Sequence, residues 1–230
     1  SLFAIFKGCK AAGDSLRPFP FSGALPVMNE VVVQPSRGKN EPQLPSGGIL
    51  LLNPAEARQA AQISGQGDWA RHFLFHSNLH CGQSPPMFWA GPAIGAPMAV
   101  ICLEKLIALG ASRIIVCGWC GSLRPDLGVG ELVLPTWAIS EEGTSAHYPV
   151  PGRSESSLRL RKDLKDFFTD QGKGLREGPI WTTDALYRET REKVVRYGAE
   201  GILAVDMEYS ALMQVAAFRG VELAAVLMVS

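Results

Sequence analysis

An α/β fold is predicted for this 230-residue chain by three observations. Short apolar runs suited to buried strands alternate with segments patterned as helices. Several of those helices are opened by Pro or Thr and closed by Gly. The length suits one full hydrophobic core. Together these imply a single domain over residues 49–230, with a central mixed, largely parallel sheet flanked by helices.

Residues 1–48 are rich in Pro, Gly and polar residues, as in Arg17-Pro-Phe-Pro20 and Gln34-Pro-Ser-Arg-Gly38. They read as an arm or extension, with Val31–Val33 as its one short strand. Ile49–Leu52 then reads as a buried strand, and Pro54 opens a helix to about Ile63. Phe73–Phe75 and Met87–Ala90 read as strands. Pro97 opens a helix from Met98 to Leu109, ended by Gly110. Arg113–Cys117 is the next strand, and Glu131–Leu134 with Trp137–Ile139 suggest one interrupted strand. A third helix spans about Ser157 to Thr169, and a fourth Thr190 to Arg196 with Thr190 as its cap. Gly201–Val205 is a buried strand, followed by a helix from Tyr209 to Arg219 that Gly220 stops. Leu223–Val229 is a buried strand at the end of the sequence. Strand ends normally deliver the chain back to the surface, so the natural chain is expected to continue beyond Ser230.

Lys plus Arg equals Asp plus Glu, 22 each, and no basic block stands out. That argues against nucleic acid or an anionic membrane surface as partner. No apolar run reaches membrane-span length, and Ser1–Lys7 has too short an apolar core for a signal peptide. The five cysteines, Cys9, Cys81, Cys102, Cys117 and Cys120, are odd in number and irregular in spacing. They suggest a reducing, cytoplasmic setting rather than a disulfide framework. Cys117-Gly-Trp-Cys120 spells C-x-x-C, but Gly121 to Pro125 breaks the helix a redox site needs, and a zinc site lacks a second ligand pair. Small residues lining a tight turn fit better. His72, His76 and His80 have the spacing of a metal-binding helix face, yet the segment is strand-like. No cofactor or metal is implied.

The densest cluster of chemistry is Asp206-Met207-Glu208, where a strand hands over to a helix. Such handovers commonly carry ligand sites in α/β proteins. A carboxylate there can take two sugar hydroxyls, and a Met can pack on the sugar's apolar face. The plain alternative is an acidic helix start, with Asp206 as cap and Glu208 favoured by the helix dipole. Gly91–Pro97 and Gly118–Gly121 are Gly-rich turns at neighbouring strand ends, which points to one shared pocket. Glu141–Tyr148 is rich in polar groups, with His147 a possible ligand contact or acid/base. Trp181–Thr190 sets polar and aromatic groups at another strand end.

Gly91–Pro97, Gly118–Gly121, Glu142-Gly-Thr-Ser-x-His-Tyr148, Thr182-Thr-Asp-x-x-Tyr187 and Val205-Asp-Met-Glu208 occur in the order seen in the purine nucleoside and uridine phosphorylase superfamily. The chain resembles that superfamily, which includes nucleosidases, over about residues 49–230, and is closest in look to its uridine-phosphorylase-like members. The resemblance implies that Glu208 holds the ribose 2′- and 3′-hydroxyls, that Met207 packs on the sugar, and that Asp206 lies near ribose or base. It places Trp119, Cys120 and Gly121 along the base and phosphate region. Leu186 stands where the family stacks an aromatic on the base, with Tyr187 beside it as a substitute. The uracil-reading Gln and Arg of uridine phosphorylases correspond to Thr190 and Glu192.

The phosphate positions depart from the family. Leu52 and Glu56 stand for a Gly and an Arg, Val116 for a second Arg, and Trp119 for a Ser or Thr. A phosphate dianion wants guanidinium forks and hydroxyls. In purine-type members a Ser 23 residues after the motif Met precedes the Asp that protonates the base; that Ser corresponds to Ser230, so the acid would be the next residue. The expected activity is cleavage of a nucleoside N-glycosidic bond by phosphate. The alternatives are hydrolysis by water with Glu56 as base, and a non-catalytic nucleoside-binding relative. The partners implied are a nucleoside, inorganic phosphate and further copies of the chain, with the 1–48 arm serving a subunit contact or covering a sheet edge.

Overall fold

The computed structural model describes residues 31–230. Cys9, Ser1–Lys7 and Arg17–Pro20 lie outside the described residues, as does most of the predicted arm. The strands are β1 Gly47–Leu51, β2 Trp69–Leu74, β3 Ser77–Gln83, β4 Pro86–Gly91, β5 Arg113–Ser122, β6 Leu132–Glu141, β7 Leu175–Thr183, β8 Ala204–Asp206 and β9 Glu222–Val229. The helices are α1 Pro54–Ser64, α2 Ala96–Ala108, α3 Leu158–Asp170, α4 Arg191–Ala199 and α5 Tyr209–Arg219.

The strands lie in the order β2-β3-β4-β1-β5-β8-β7-β6-β9, and β5 also pairs with β9. The last five strands therefore close on one another, and β1, β4, β3 and β2 extend from β5 as a wing. Alternate residues of β5 face two cores. Ile114, Val116 and Cys120 lie with α2 and α5, while Ile115 and Cys117 lie with α1 and α3. Two-sided burial explains why these strands are near-continuous apolar runs.

The sheet is mixed, and "largely parallel" needs correction. Pairs β1–β4, β1–β5, β5–β9, β6–β7 and β7–β8 are parallel, whereas β2–β3, β3–β4, β5–β8 and β6–β9 are antiparallel. Two of the four antiparallel pairs come from β3, whose sequence carries no strand pattern. Only Phe75-His76 separates it from β2 and only Ser84-Pro85 from β4, and two-residue connections join antiparallel neighbours.

Two other expectations fail. Val31–Val33 forms no strand and is largely exposed, since no neighbour offers it a ladder. Gly118–Gly121 is not a turn, because β5 runs on to Ser122 and pairs with β8 at Gly121–Val205 and Ser122–Ala204. Cys117 and Cys120 are thus buried free thiols in the two opposite cores. The interrupted strand is observed as β6, whose register with β7 shifts between Pro135 and Ala138. Thr190 and Ser157 cap α4 and α3 through their side chains, accepting from Lys193 N–H and Leu160 N–H.

Candidate functional site

The site forms where β8 ends beside β5 and β7. Val205 and Asp206 pair with Trp181 and Thr182 of β7, so Asp206 arrives against Thr182. The Thr182 hydroxyl donates to Asp206 Oδ1 at 2.6 Å. Asp206 Oδ2 accepts the N–H groups of Glu208 at 3.2 Å and Tyr209 at 2.7 Å. Those N–H groups lie at the start of α5, where helix geometry leaves donors unpaired. The N-cap residue of α5 is Glu208 rather than Asp206, yet Asp206 holds the helix start through these N–H groups, and each of its oxygens accepts a protein donor.

Glu208 is held differently. Its Oε1 accepts the Gly95 N–H at 2.6 Å, and its Oε2 accepts the Met207 N–H at 3.3 Å. Gly95 immediately precedes α2 and has φ 81° and ψ 146°, a left-handed conformation that side chains other than glycine rarely adopt. The Gly91–Pro97 motif thus contributes one backbone donor from a glycine turn, 113 residues away in sequence. Each carboxylate oxygen of Glu208 has a second lone-pair direction beyond that one donor.

Both carboxylates are buried, and no ion pair joins either to a cation among the described residues. Burial pushes the Asp206 carboxyl up to about 7, with the neighbouring Glu208 charge adding to the effect. Burial also raises Glu208, against the Gly95 and Met207 donors. The Cys120 thiol is pushed up to about 12 by burial, then by the charge of Asp206. Gly121 pairs with Val205 of β8, and the Ser230 N–H donates to the Cys120 carbonyl at 3.1 Å. Met207 is half-buried at the junction.

The remaining candidates make no hydrogen bond to Asp206 or Glu208. Trp119 is 40 % exposed on the face of β5 opposite Cys120, beside Glu56. Burial raises the Glu56 carboxyl, while the Trp119 indole and the Asn53 amide favour its charge. Glu56 lines a cavity of about 480 Å³ with Cys117, Phe167, Lys173 and Met228 on the α1/α3 side. No hydrogen bond or ion pair joins it to Asp206 or Glu208. Leu186 and Tyr187 sit in a single helical turn after β7, 51 % and 96 % exposed. His147 lines a separate groove of about 830 Å³ with Tyr148, Phe218 and Arg219. Among the described residues no group of three or more His, Cys, Asp or Glu side chains suits a metal, so the three histidines carry no such site. None of the helices there is long and apolar enough to cross a membrane.

Leu52 and Val116 are each 1 % exposed within the α2/α5 core. The Leu52 side chain covers Gly118 so closely that a Cβ there would meet its Cδ1 at 2.7 Å. Aliphatic side chains fill these two positions.

Three contributors were not singled out from sequence. Thr182 and Gly95 lay in quoted motifs without an assigned role. Glu142 is buried and accepts four hydrogen bonds: Ser140 Oγ–H at 2.8 Å, Ser210 Oγ–H at 2.9 Å, Thr144 N–H at 2.6 Å and Ser145 N–H at 3.0 Å. The signal available was a carboxylate among hydroxyl residues in Ser140–Ser145.

A family model described as the phosphorylase superfamily matches residues 48–230. A guanosine phosphorylase of Halorubrum lacusprofundi is 33 % identical over 134 residues, covering 58 % of this chain and 56 % of that protein. A purine nucleoside phosphorylase DeoD-type of Bacillus cytotoxicus is 32 % identical over 144 residues, 61 % of each. The chain thus spans under two thirds of the length of these relatives. The crystal structure of uridine phosphorylase from Vibrio fischeri ES114 superposes with a TM-score of 0.73 at 24 % identity, covering 82 % of this chain and 79 % of that one, a likeness of fold.

Proposed function

The chain belongs to the phosphorylase superfamily, and from that membership we propose that it binds a ribonucleoside and cleaves the N-glycosidic bond, transferring the pentose to inorganic phosphate. The observation that carries the reading is the Glu208 carboxylate, fixed by Gly95 and Met207 with lone pairs to spare. Two such oxygens suit the vicinal 2′- and 3′-hydroxyls of a ribose, and charge-assisted hydrogen bonds are the stronger kind. Met207 packs on the sugar. Cys120 and Gly121 line the base side, and Leu186 and Tyr187 cover the base from the loop after β7. Asp206 supports the sugar grip from behind, since each of its oxygens already accepts a protein donor.

Cleavage develops positive charge on the sugar as the base departs. A fixed carboxylate on the ribose edge orients the ring and favours that charge without reorganising during the reaction. A purine nucleoside is the favoured substrate, because the relatives above are named for guanosine and purine nucleosides. We place the reaction in the cytoplasm of a cell, in purine salvage, and in a homo-oligomer.

One observation favours a second reading, hydrolysis by water. Leu52 and Val116 are buried aliphatics at two family phosphate positions, and Glu56 puts a carboxylate at a third. A carboxylate repels a phosphate dianion and suits activation of water. The test is incubation with a panel of ribonucleosides, with and without phosphate. Phosphate-dependent base release and a pentose 1-phosphate product are expected. Equal release without phosphate replaces phosphorolysis by hydrolysis. Binding with no release from any nucleoside leaves a nucleoside-binding relative.

A further inference from the structure

We propose that Glu142 is a positioning residue for Glu208, acting through the Ser210 hydroxyl and the first turn of α5. The inference rests on the ribose role proposed for Glu208. Glu142 lies 66 residues before Glu208 in sequence and follows β6, yet its Oε1 receives the hydroxyl of Ser210, the second residue of α5. The Ser210 N–H donates to Thr182 Oγ1 at 3.1 Å, and the Thr182 hydroxyl goes on to Asp206 Oδ1. Asp206 Oδ2 takes the N–H groups of Glu208 and Tyr209. Three consecutive N–H groups, 208 to 210, are thus claimed by side chains from β8 and β7, and the side chain of the third is claimed by Glu142. Glu208 has no freedom to shift along the helix start while this chain of bonds stands.

Glu142 is itself anchored on its far side. Its Oε2 accepts the Thr144 and Ser145 N–H groups, and Ser140 Oγ–H shares Oε1. Burial opposes its charge, but the Ser145, Ser140 and Ser210 hydrogen bonds outweigh burial and hold the carboxyl below its ordinary range. A carboxylate with four inward donors is rigid, which is what a support for a ligand-holding group requires.

The clean variant is Ser210→Ala. It cuts the bond to α5 while Ser140 still occupies Glu142 Oε1, so no buried oxygen is orphaned. Calorimetry with inosine and 2′,3′-dideoxyinosine separates positioning from general damage. The wild-type protein is expected to prefer inosine, and Ser210→Ala to lose about tenfold of that preference, the worth of one charge-linked hydrogen bond. The dideoxy affinity stays unchanged, and Ser210→Thr, which keeps the hydroxyl, restores the preference. A wild-type preference that survives intact in Ser210→Ala overturns the proposal alone. An equal fall in both affinities overturns it in favour of a merely structural bond. Absence of any wild-type preference, or of binding, removes the ribose reading and the proposal with it.

Discussion

Thr182→Val tests the central joint of the site through stability alone. Thr182 is fully buried, and its hydroxyl makes two bonds, donating to Asp206 Oδ1 and accepting from Ser210 N–H. Valine has the same shape and neither function. The variant leaves one buried acceptor and one buried donor unpaired, at about 1–3 kcal/mol each, so the expected loss is about 2–6 kcal/mol. For a domain of this size that corresponds to a fall in Tm of roughly 4–24 °C. Thr182→Ser keeps the hydroxyl and gives up one methyl, costing about 1 kcal/mol.

The loss should depend on pH, with a definite sign. The Asp206 carboxyl stands at about 7 in the folded protein, above its ordinary value of 3.8. A raised acid favours the folded state while it is protonated, so stability falls as pH rises from about 4 through 7 and is level above that. The Thr182 hydroxyl favours the charged form, so removing it raises Asp206 further. At pH 5 both proteins hold Asp206 neutral, and the difference between them falls to what the unpaired Ser210 N–H costs. At pH 8 the wild-type carboxylate is ionised and the variant has lost its donor, so the difference is largest. Urea unfolding of wild type, Thr182→Val and Thr182→Ser at both pH values measures this. A Thr182→Val loss that is equal at pH 5 and pH 8 refutes the role given to the hydroxyl, as does a loss below about 0.5 kcal/mol.

Three other outcomes follow from the same structure. Gly48 pairs with Phe88 across β1 and β4, and a Cβ at Gly48 would lie 2.2 Å from the Phe88 ring; Gly48→Ala should cost about 1–3 kcal/mol or more in urea unfolding, and Phe88→Leu in the same chain should recover part of it. Strictly additive losses would show that the ring is not what fills that space. Glu56→Gln removes a carboxyl that burial has raised, so the Tm decline of the wild type between pH 5 and pH 8 should be smaller in the variant, and an unchanged decline contradicts that. Ser157→Ala loses the α3 cap and a 2.8 Å bond to Glu222, which should cost about 1 kcal/mol, read as a Tm lower by roughly 2–4 °C.

The legible parts of this fold are those in which a local physical signal coincides with a boundary. Gly220 has φ 67° and ends α5 at Arg219, and Thr190 and Ser157 announce their helices by side-chain capping. The apolar runs of β1, β4 and β9 need burial on both faces, and they have it. β3 gave no such signal. Its sequence, Ser77-Asn-Leu-His-Cys-Gly-Gln83, has one large aliphatic and no β-branched residue, and it is a strand because hairpins on both sides deliver it between β2 and β4. The far end of β5 was hidden for the opposite reason. Gly118 and Gly121 look like turn residues, but Gly118 makes room for Leu52 and Gly121 for Val205. In both cases the deciding partner is distant in sequence.

The same limit divides the two carboxylates of the Asp-Met-Glu triplet. By residue type and burial Asp206 and Glu208 are nearly alike. Lone-pair accounting separates them. Asp206 receives three donors, two of them at 2.7 Å or less, and all come from β7 or the helix start. Glu208 receives two, and the one on Oε2 is long at 3.3 Å. Three donors leave Asp206 one open lone-pair direction, on Oδ1, whereas Glu208 keeps one on each oxygen, so two hydroxyls can add to Glu208 without displacing any protein donor. What creates the difference is the register that sets Thr182 opposite Asp206 rather than beside Glu208. A slip of one residue would turn every side chain of β8 to the other face of the sheet and remove both assignments at once. The triplet is thus one unit, a buried acid that fixes the helix start and a second acid, two residues on, with an open lone-pair direction on each oxygen.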